Sequence, residues 1–184
     1  ANGGGEISSD GNSPVTERGL VWDTSTGPEI DLTTKSIDGN GVGVFSSTLS
    51  SLTPDTEYFV RAYATNGAGT AYGNEISFRT ELDISVPTIN TVNITDTTTS
   101  GAISGGEITS DGNAQVTERG VVWSATNSEP TIALSTKTSD GQGSGSFEST
   151  IVGLNTNTRY FVRAYATNSA GTAYGSTRSF FSSI

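Results

Sequence analysis

Nine consecutive residues, Tyr58-Phe-Val-Arg-Ala-Tyr-Ala-Thr-Asn66, recur unchanged as Tyr160-Phe-Val-Arg-Ala-Tyr-Ala-Thr-Asn168. Each copy follows a leucine-and-threonine corner, Leu52-Thr-Pro-Asp-Thr56 or Leu154-Asn-Thr-Asn-Thr158. Each also leads into a glycine hairpin, Ala68-Gly-Thr-Ala-Tyr-Gly73 or Ala170-Gly-Thr-Ala-Tyr-Gly175. Self-similarity at a fixed period means that one structural unit is used twice. The match extends well beyond the nine residues. Val15-Thr-Glu-Arg-Gly19 and Trp22 answer to Val116-Thr-Glu-Arg-Gly120 and Trp123 at an offset of 101, and from Pro28 onward the offset is 102. The single extra residue lies between Trp123 and Pro130, which marks that segment as a loop.

With 184 residues the chain holds two such units, each near the usual domain size of about 100 residues. A domain of that size buries about two-thirds of its unfolded surface, so it needs neither metal nor disulfide to hold a core. The expected boundaries are 1–80 for the first domain, 81–87 for a short Pro-containing linker and 88–184 for the second. The second copy has a lead-in, Pro87-Thr-Ile-Asn-Thr-Val-Asn-Ile-Thr95, which the first lacks. The first is therefore expected to lack its N-terminal strand and part of the next. Either a preceding segment of a longer array or a neighbouring molecule would supply it.

Twenty-three glycines, abundant Ser and Thr, and only 15% charged residues suit short strands and tight turns. β-Branched and aromatic runs bounded by Gly, Asn and Asp predict strands in the second copy at 88–94, 98–108, 115–124, 133–138, 144–151, 159–168 and 171–180. Seven short strands at this spacing predict an all-β fold of two tandem seven-stranded Ig-like sandwiches. A bulge at Gly105-Gly106 is expected to bring Ile103 and Ile108 to one face. Asp38-Gly-Asn-Gly41 and Asp140-Gly-Gln-Gly143 read as turns.

Alternation in the repeated strand places Tyr58, Val60, Ala62 and Ala64 inward, with Phe45, Leu49, Leu52, Tyr72 and Phe78 expected to join them, and Ile76 too, near the core edge because its counterpart is Arg178. Phe59, Arg61, Tyr63 and Thr65 point outward. On the strand of Trp22, parity sets Arg18 on the indole's face, so either a bulge intervenes or Arg18 lies beyond the sheet rim.

The run Leu52-x-Pro54-x-Thr56-x-Tyr58-x-Val60-x-Ala62, followed by Asn66-x-x-Gly69 and Ser77-Phe78-x-Thr80, resembles the second half of a fibronectin type III domain. That resemblance implies tyrosine corners at Leu52 and Tyr58 and at Leu154 and Tyr160, each phenol bonding backbone near the preceding turn. The second copy departs from the pattern at Thr156, where the first has Pro54. The whole module, with its Ser-Asp-Gly-Asn, Val-Thr-Glu-Arg-Gly-x-Val-Trp and Gly-x-Gly-x-Phe segments, is similar to repeats of large secreted and cell-surface proteins of Bacteroidetes bacteria. This implies an extracellular location but no shared ligand.

Composition narrows the chemistry. There is no His, Cys or Met, so the commonest general base, the best thiol nucleophile and the two commonest zinc ligands are missing. The missing Met also reads as a processed or internal piece. A net charge of −10 with only two lysines, Lys35 and Lys137, disfavours nucleic acid and anionic membranes as partners. No apolar run is long enough to span a bilayer as a helix.

Asp10, Asp38, Asp111 and Asp140 read as turn residues rather than calcium ligands, since each loop supplies one carboxylate. Glu17, Glu118, Arg18, Arg119, Arg61 and Arg163 read as solvated cross-strand pairs rather than an acid–base set. Nothing points to a cofactor.

The outward rows Phe59, Arg61, Tyr63 and Phe161, Arg163, Tyr165 are a candidate interaction surface, because aromatic and Arg side chains dominate contact hot spots. The competing reading is that these rings cover Gly19 and Gly120 on the next strand. Asp96-Thr97-Thr98 is similar to a short bacterial O-glycosylation signal, which makes Thr97 a candidate acceptor.

The leading functional reading is a non-catalytic stalk, spacer or adhesive module of an extracellular surface protein. Its expected partners are neighbouring repeats or subunits, or a host or surface protein or glycan. The alternatives are a filament subunit assembled by strand complementation and an accessory carbohydrate-binding module of a secreted enzyme.

Overall fold

The alternating pattern of the repeat folds as a ten-residue strand in each copy, its inner face apolar and its outer face aromatic and basic. The computed structural model describes residues 1–184, which divide into two compact units, Ala1–Asp83 and Ile84–Ile184. The first contains β1 (Asn2–Ile7), β2 (Glu17–Asp23), β3 (Gly43–Thr48), β4 (Glu57–Asn66), β5 (Gly69–Tyr72) and β6 (Ile76–Arg79). The second contains β7 (Thr88–Thr91), β8 (Gly101–Ser110), β9 (Glu118–Ser124), β10 (Gly145–Val152), β11 (Arg159–Asn168), β12 (Gly171–Tyr174) and β13 (Arg178–Phe181).

In the second unit one sheet runs β10-β8-β7; in the other, β11 pairs β9 on one side and β12 and β13 on the other. The first unit repeats this plan with one strand fewer. Its β1 pairs only β3, while β4 pairs β2, β5 and β6. Each unit is therefore an Ig-like, fibronectin type III-like antiparallel sandwich, and the first lacks the equivalent of β7.

The cores follow the inward parity. Leu20, Trp22, Phe45, Leu49, Tyr58 and Val60 cluster in the first unit. Val121, Trp123, Ile151, Tyr160, Val162 and Ala164 are among their counterparts in the second, joined there by Ile89 of β7. The turns at 38–41 and 140–143 place Gly39, Gly41, Gly141 and Gly143 at φ of 100°, 75°, 96° and 84°, backbone that glycine adopts without strain.

Four expectations need correction. Residues 133–138 form no strand, only a single bridge, Lys137 to Val122, flanked by backbone bonds such as Trp123 N–H to Thr136 O at 3.0 Å. Residues 171–180 are two strands, because the register on β11 steps by one residue between β12 and β13. The same step between β5 and β6 reverses side-chain parity. Phe78 thus stacks on Tyr58 inside, with centroids 5.9 Å apart, whereas Tyr72 pairs Tyr63 on the outer face.

The third correction is Gly105-Gly106, which carries no bulge. The β8–β10 register is continuous, so Ala102, Ser104, Gly106 and Ile108 face inward and Ile103 does not. Gly106 is glycine because a Cβ there would lie 2.8 Å from the Phe147 ring and from Ala164. The fourth is Ile76, which is 66% exposed because nothing covers that end of the sheet.

Arg18 lies at the rim. The β2–β4 register has no bulge, and the guanidinium sits 5.5 Å above the Phe45 ring and donates to the carbonyls of Gly41 and Val42 at 3.2 and 3.1 Å. The segment between the sandwiches is divided. Asp55 N–H donates to Glu81 O in the first unit, and Ser85 N–H donates to Gly112 O in the second.

Candidate interaction surface

Val21 and Val122, on the outward parity of β2 and β9, are fully buried. A strand whose neighbours alternate inward and outward can lose both faces to solvent only if something lies across the outer one. That cover is the loop after β2, which returns as residues 34–38. Ser36 N–H donates to Leu20 O at 2.8 Å and Ser36 Oγ accepts from Leu20 N–H at 2.9 Å. Pro28 and Pro130 are buried in this loop, and Ile30 N–H donates to the Tyr72 phenol at 3.0 Å, as Ile132 N–H does to Tyr174 at 3.1 Å.

Under this cover Tyr63 and Tyr165 are only 2% and 0% exposed. Each ring faces a glycine, Gly19 or Gly120, where a Cβ would run into the carbonyl of Ser36 or Thr138. The Tyr63 hydroxyl has Glu17 Oε1 and Ser36 O both at 2.7 Å, and its one proton can be donated to either. Tyr165 is placed likewise, 2.9 Å from Glu118 Oε1 and 2.5 Å from Thr138 O. Burial first, then the adjacent carboxylate, pushes both phenol pKa values well above their ordinary value, since ionising either would set a second negative charge beside Glu17 or Glu118.

The candidate surface is therefore smaller than the sequence suggested. Tyr63 and Tyr165 leave it, and what remains half-exposed is Phe59 with Arg61 and Phe161 with Arg163. Arg61 lies 4.3 Å over the Tyr72 ring and Arg163 4.7 Å over Tyr174, a cation–π geometry. Arg163 also pairs with Glu129 at 2.8 Å, and Arg159 covers Phe161 at 4.8 Å. The two rows are thus not equivalent: in the second unit more of the surface is engaged internally.

The other polar candidates also serve the fold. Glu17 and Glu118 hold tyrosines rather than arginines, and Arg18 and Arg119 hold turn carbonyls, so the cross-strand ion pairs expected among them do not form. Asp38 Oδ2 accepts from Ser36 Oγ at 2.7 Å. Asp140 Oδ2 accepts from Thr138 Oγ1 and Ser149 Oγ at 2.6 and 2.5 Å. Asp10 and Asp111 each accept from a backbone N–H two residues on, at 3.0 Å, the Asx-turn geometry.

At the corners, the Tyr58 phenol accepts from Thr53 N–H and the Tyr160 phenol from Asn155 N–H, both at 3.0 Å. Leu154 is buried and Leu52 half-buried. Thr97 is exposed, beside Asp96 at φ 47°.

Where the unequal lead-ins place the missing N-terminal strand, the first unit has a groove of about 560 Å³ bounded by Gly3, Leu20, Ala62, Gly73, Ile76 and Phe78. Its floor is the face that β7 covers in the second unit. Gly73, Ala62 and Ile7 are exposed or half-buried, whereas Gly175, Ala164 and Ile108 are buried.

No family model and no curated protein matches the chain. Among solved structures, domains FN1-FN3 of chicken CNTN1 are similar over 91% of this chain and 56% of that one, at 18% identity and TM-score 0.39. Domains A168-A170 of titin are similar over 96% and 56%, at 16% identity and TM-score 0.44. The chain spans just over half the length of either. The fold assignment stands on the strand order and the corners described above.

Proposed function

We propose that the chain is a non-catalytic spacer and contact segment of a secreted or cell-surface bacterial protein. The observation that supports this is the duplication of its structural polar network. Glu17 and Glu118, Arg18 and Arg119, and Asp38 and Asp140 perform the same internal tasks in both units, holding tyrosines and turns. The side chains best suited to chemistry are thereby committed to two equivalent scaffolds. The contact surface in this reading is Phe59 and Arg61 with Phe161 and Arg163, offered to neighbouring repeats or to a surface protein or glycan. Thr97 is an accessible glycan acceptor.

Force spectroscopy on the whole chain tests the spacer role. Two sandwiches bearing load should give two unfolding events, each releasing about 30–35 nm of contour length at roughly 3.5 Å per residue. One early event without a second would count against it. Labelling of intact source cells by an antibody to this chain tests the location; labelling only after permeabilisation would contradict it.

A further inference from the structure

The second unit shows what belongs in the groove of the first. There, β7 lies antiparallel on β8, with Ile89 opposite Ile108, Asn90 opposite Glu107 and Thr91 opposite Gly106. Ile89 and Thr91 point inward and are 7% and 3% exposed. Thr91 Oγ1 accepts from the buried Ala164 N–H at 3.0 Å, and Thr91 O accepts from Arg178 Nε at 3.4 Å. The equivalent positions in the first unit are Ile7, Glu6, Gly5, Ala62 and Ile76.

Two details mark the vacant groove as a site for a strand. The first is Ala62 N–H. Leu20, opposite it, directs its own N–H and C=O to Ser36, and Ala62 O accepts from Gly73 N–H, so Ala62 N–H points away from β2 into the groove. No residue of the first unit stands where Thr91 stands in the second, so the half-buried Ala62 keeps a donor that only solvent or an added strand can meet.

The second is Gly73. A Cβ built there meets nothing closer than Ala62 Cβ at 3.6 Å, so the unit as it stands has room for a side chain. At Gly175 the same atom would lie 2.5 Å from Thr91 N and Oγ1. Only an occupying strand gives position 73 a steric reason to be glycine.

We propose that this groove accepts an extended polypeptide segment from outside residues 1–184. The segment adds antiparallel to the free edge of β1 in the register that β7 holds on β8. It presents an aliphatic side chain over Ile7 and, two residues on, a hydroxyl over Gly5 and Ala62. Ile76 replaces Arg178, so the occupant meets an apolar wall where β7 meets a guanidinium. Main-chain pairing along a sheet edge supplies affinity and the two inward side chains supply selectivity. The site is independent of the spacer reading, since a strand fits whether or not the chain bears load.

The test uses the whole chain and a synthetic peptide of residues 84–95, the segment that fills the second unit. Amide exchange by mass spectrometry should show added protection of Asn2–Ile7 and of Ala62, with the second unit unchanged. A peptide carrying Ile89→Asp should bind at least about tenfold more weakly. Gly73→Ala should leave thermal unfolding of the free chain unchanged and weaken peptide capture at least about tenfold, because its methyl group meets only the incoming strand.

No protection at millimolar peptide, or equal capture by Gly73→Ala, would overturn the proposal. So would concentration-dependent self-assembly in which β8 loses protection, since the occupant would then be β7 of a second copy.

Discussion

Replacing Tyr165 with Ser separates a packed outer face from a free one. Tyr165 is fully buried, and its hydroxyl lies between Glu118 and the Thr138 carbonyl. Truncating a buried aromatic ring typically costs about 3–5 kcal/mol. Loss of the donor to Thr138 O adds to that, so about 4 kcal/mol is a conservative figure. Domains are stable by about 5–15 kcal/mol, and in one of this size each kcal/mol moves the midpoint by about 4–8 °C. Tyr165→Ser should therefore lower the melting of the second unit by about 15–30 °C. Tyr165→Phe keeps the ring and should cost only about 1 kcal/mol. Calorimetry on the whole chain reads the size of the effect, and amide exchange on β9 and β11 assigns it to the second unit. A serine variant within about 3 °C of the parent would show that the ring is not packed, and the outward row would regain its standing as an open contact surface.

Further outcomes follow from the same geometry. The tyrosine hydroxyls give a pH dependence: their folded pKa values lie above the ordinary value of 10.0, so above pH 10 the unfolded chain releases protons that the folded chain keeps. Stability should fall from pH 10 upward, and Tyr63→Phe with Tyr165→Phe should flatten that slope in denaturant titrations. Asp140→Ala leaves the Ser149 hydroxyl, 1% exposed, without its carboxylate and should destabilise the second unit by about 1–3 kcal/mol; an unchanged urea midpoint would contradict this. Ser104→Ala should stabilise by about 1 kcal/mol, since Ser104 Oγ is buried with no hydrogen-bond partner. Protein from its native source should carry a hexose-containing adduct on the peptide with Thr97, and an unmodified peptide mass would remove Thr97 as an acceptor.

The duplicated strand made the architecture legible, because period-two alternation and the Leu–Tyr corner are local signals. What escaped were features set by register. Tyr72 and Phe78 share parity in the sequence, yet the one-residue step between β5 and β6 sends them to opposite faces, and no residue in Gly73-Asn-Glu75 announces it. The burial of Tyr63 depended on the loop after β2. Its signal was present in the unbroken apolar run Leu20-Val-Trp22, which means a strand buried on both faces, with Pro28 in the loop that covers it. Ile103 and Ile108 suggested a bulge because two isoleucines on one strand were both assigned to the core. The glycines between them instead make room for Phe147 and Ala164. The missing strand was legible from unequal lead-ins, but the open Ala62 N–H and the room at Gly73 are set by three-dimensional packing that no local pattern carries.

The central claim is that the chain is one sandwich built twice, closed in the second unit and open along β1 in the first. Amide hydrogen exchange on the whole chain, without peptide, tests it directly by comparing Asn2–Ile7 with Ile103–Ile108. The amides of β1 that face away from β3 should exchange about a hundredfold faster or more than their β8 counterparts, whose edge is covered by β7, while the repeated strands β4 and β11 stay protected in both units. Equal protection of the two segments would mean that the first groove is already filled and would contradict the account.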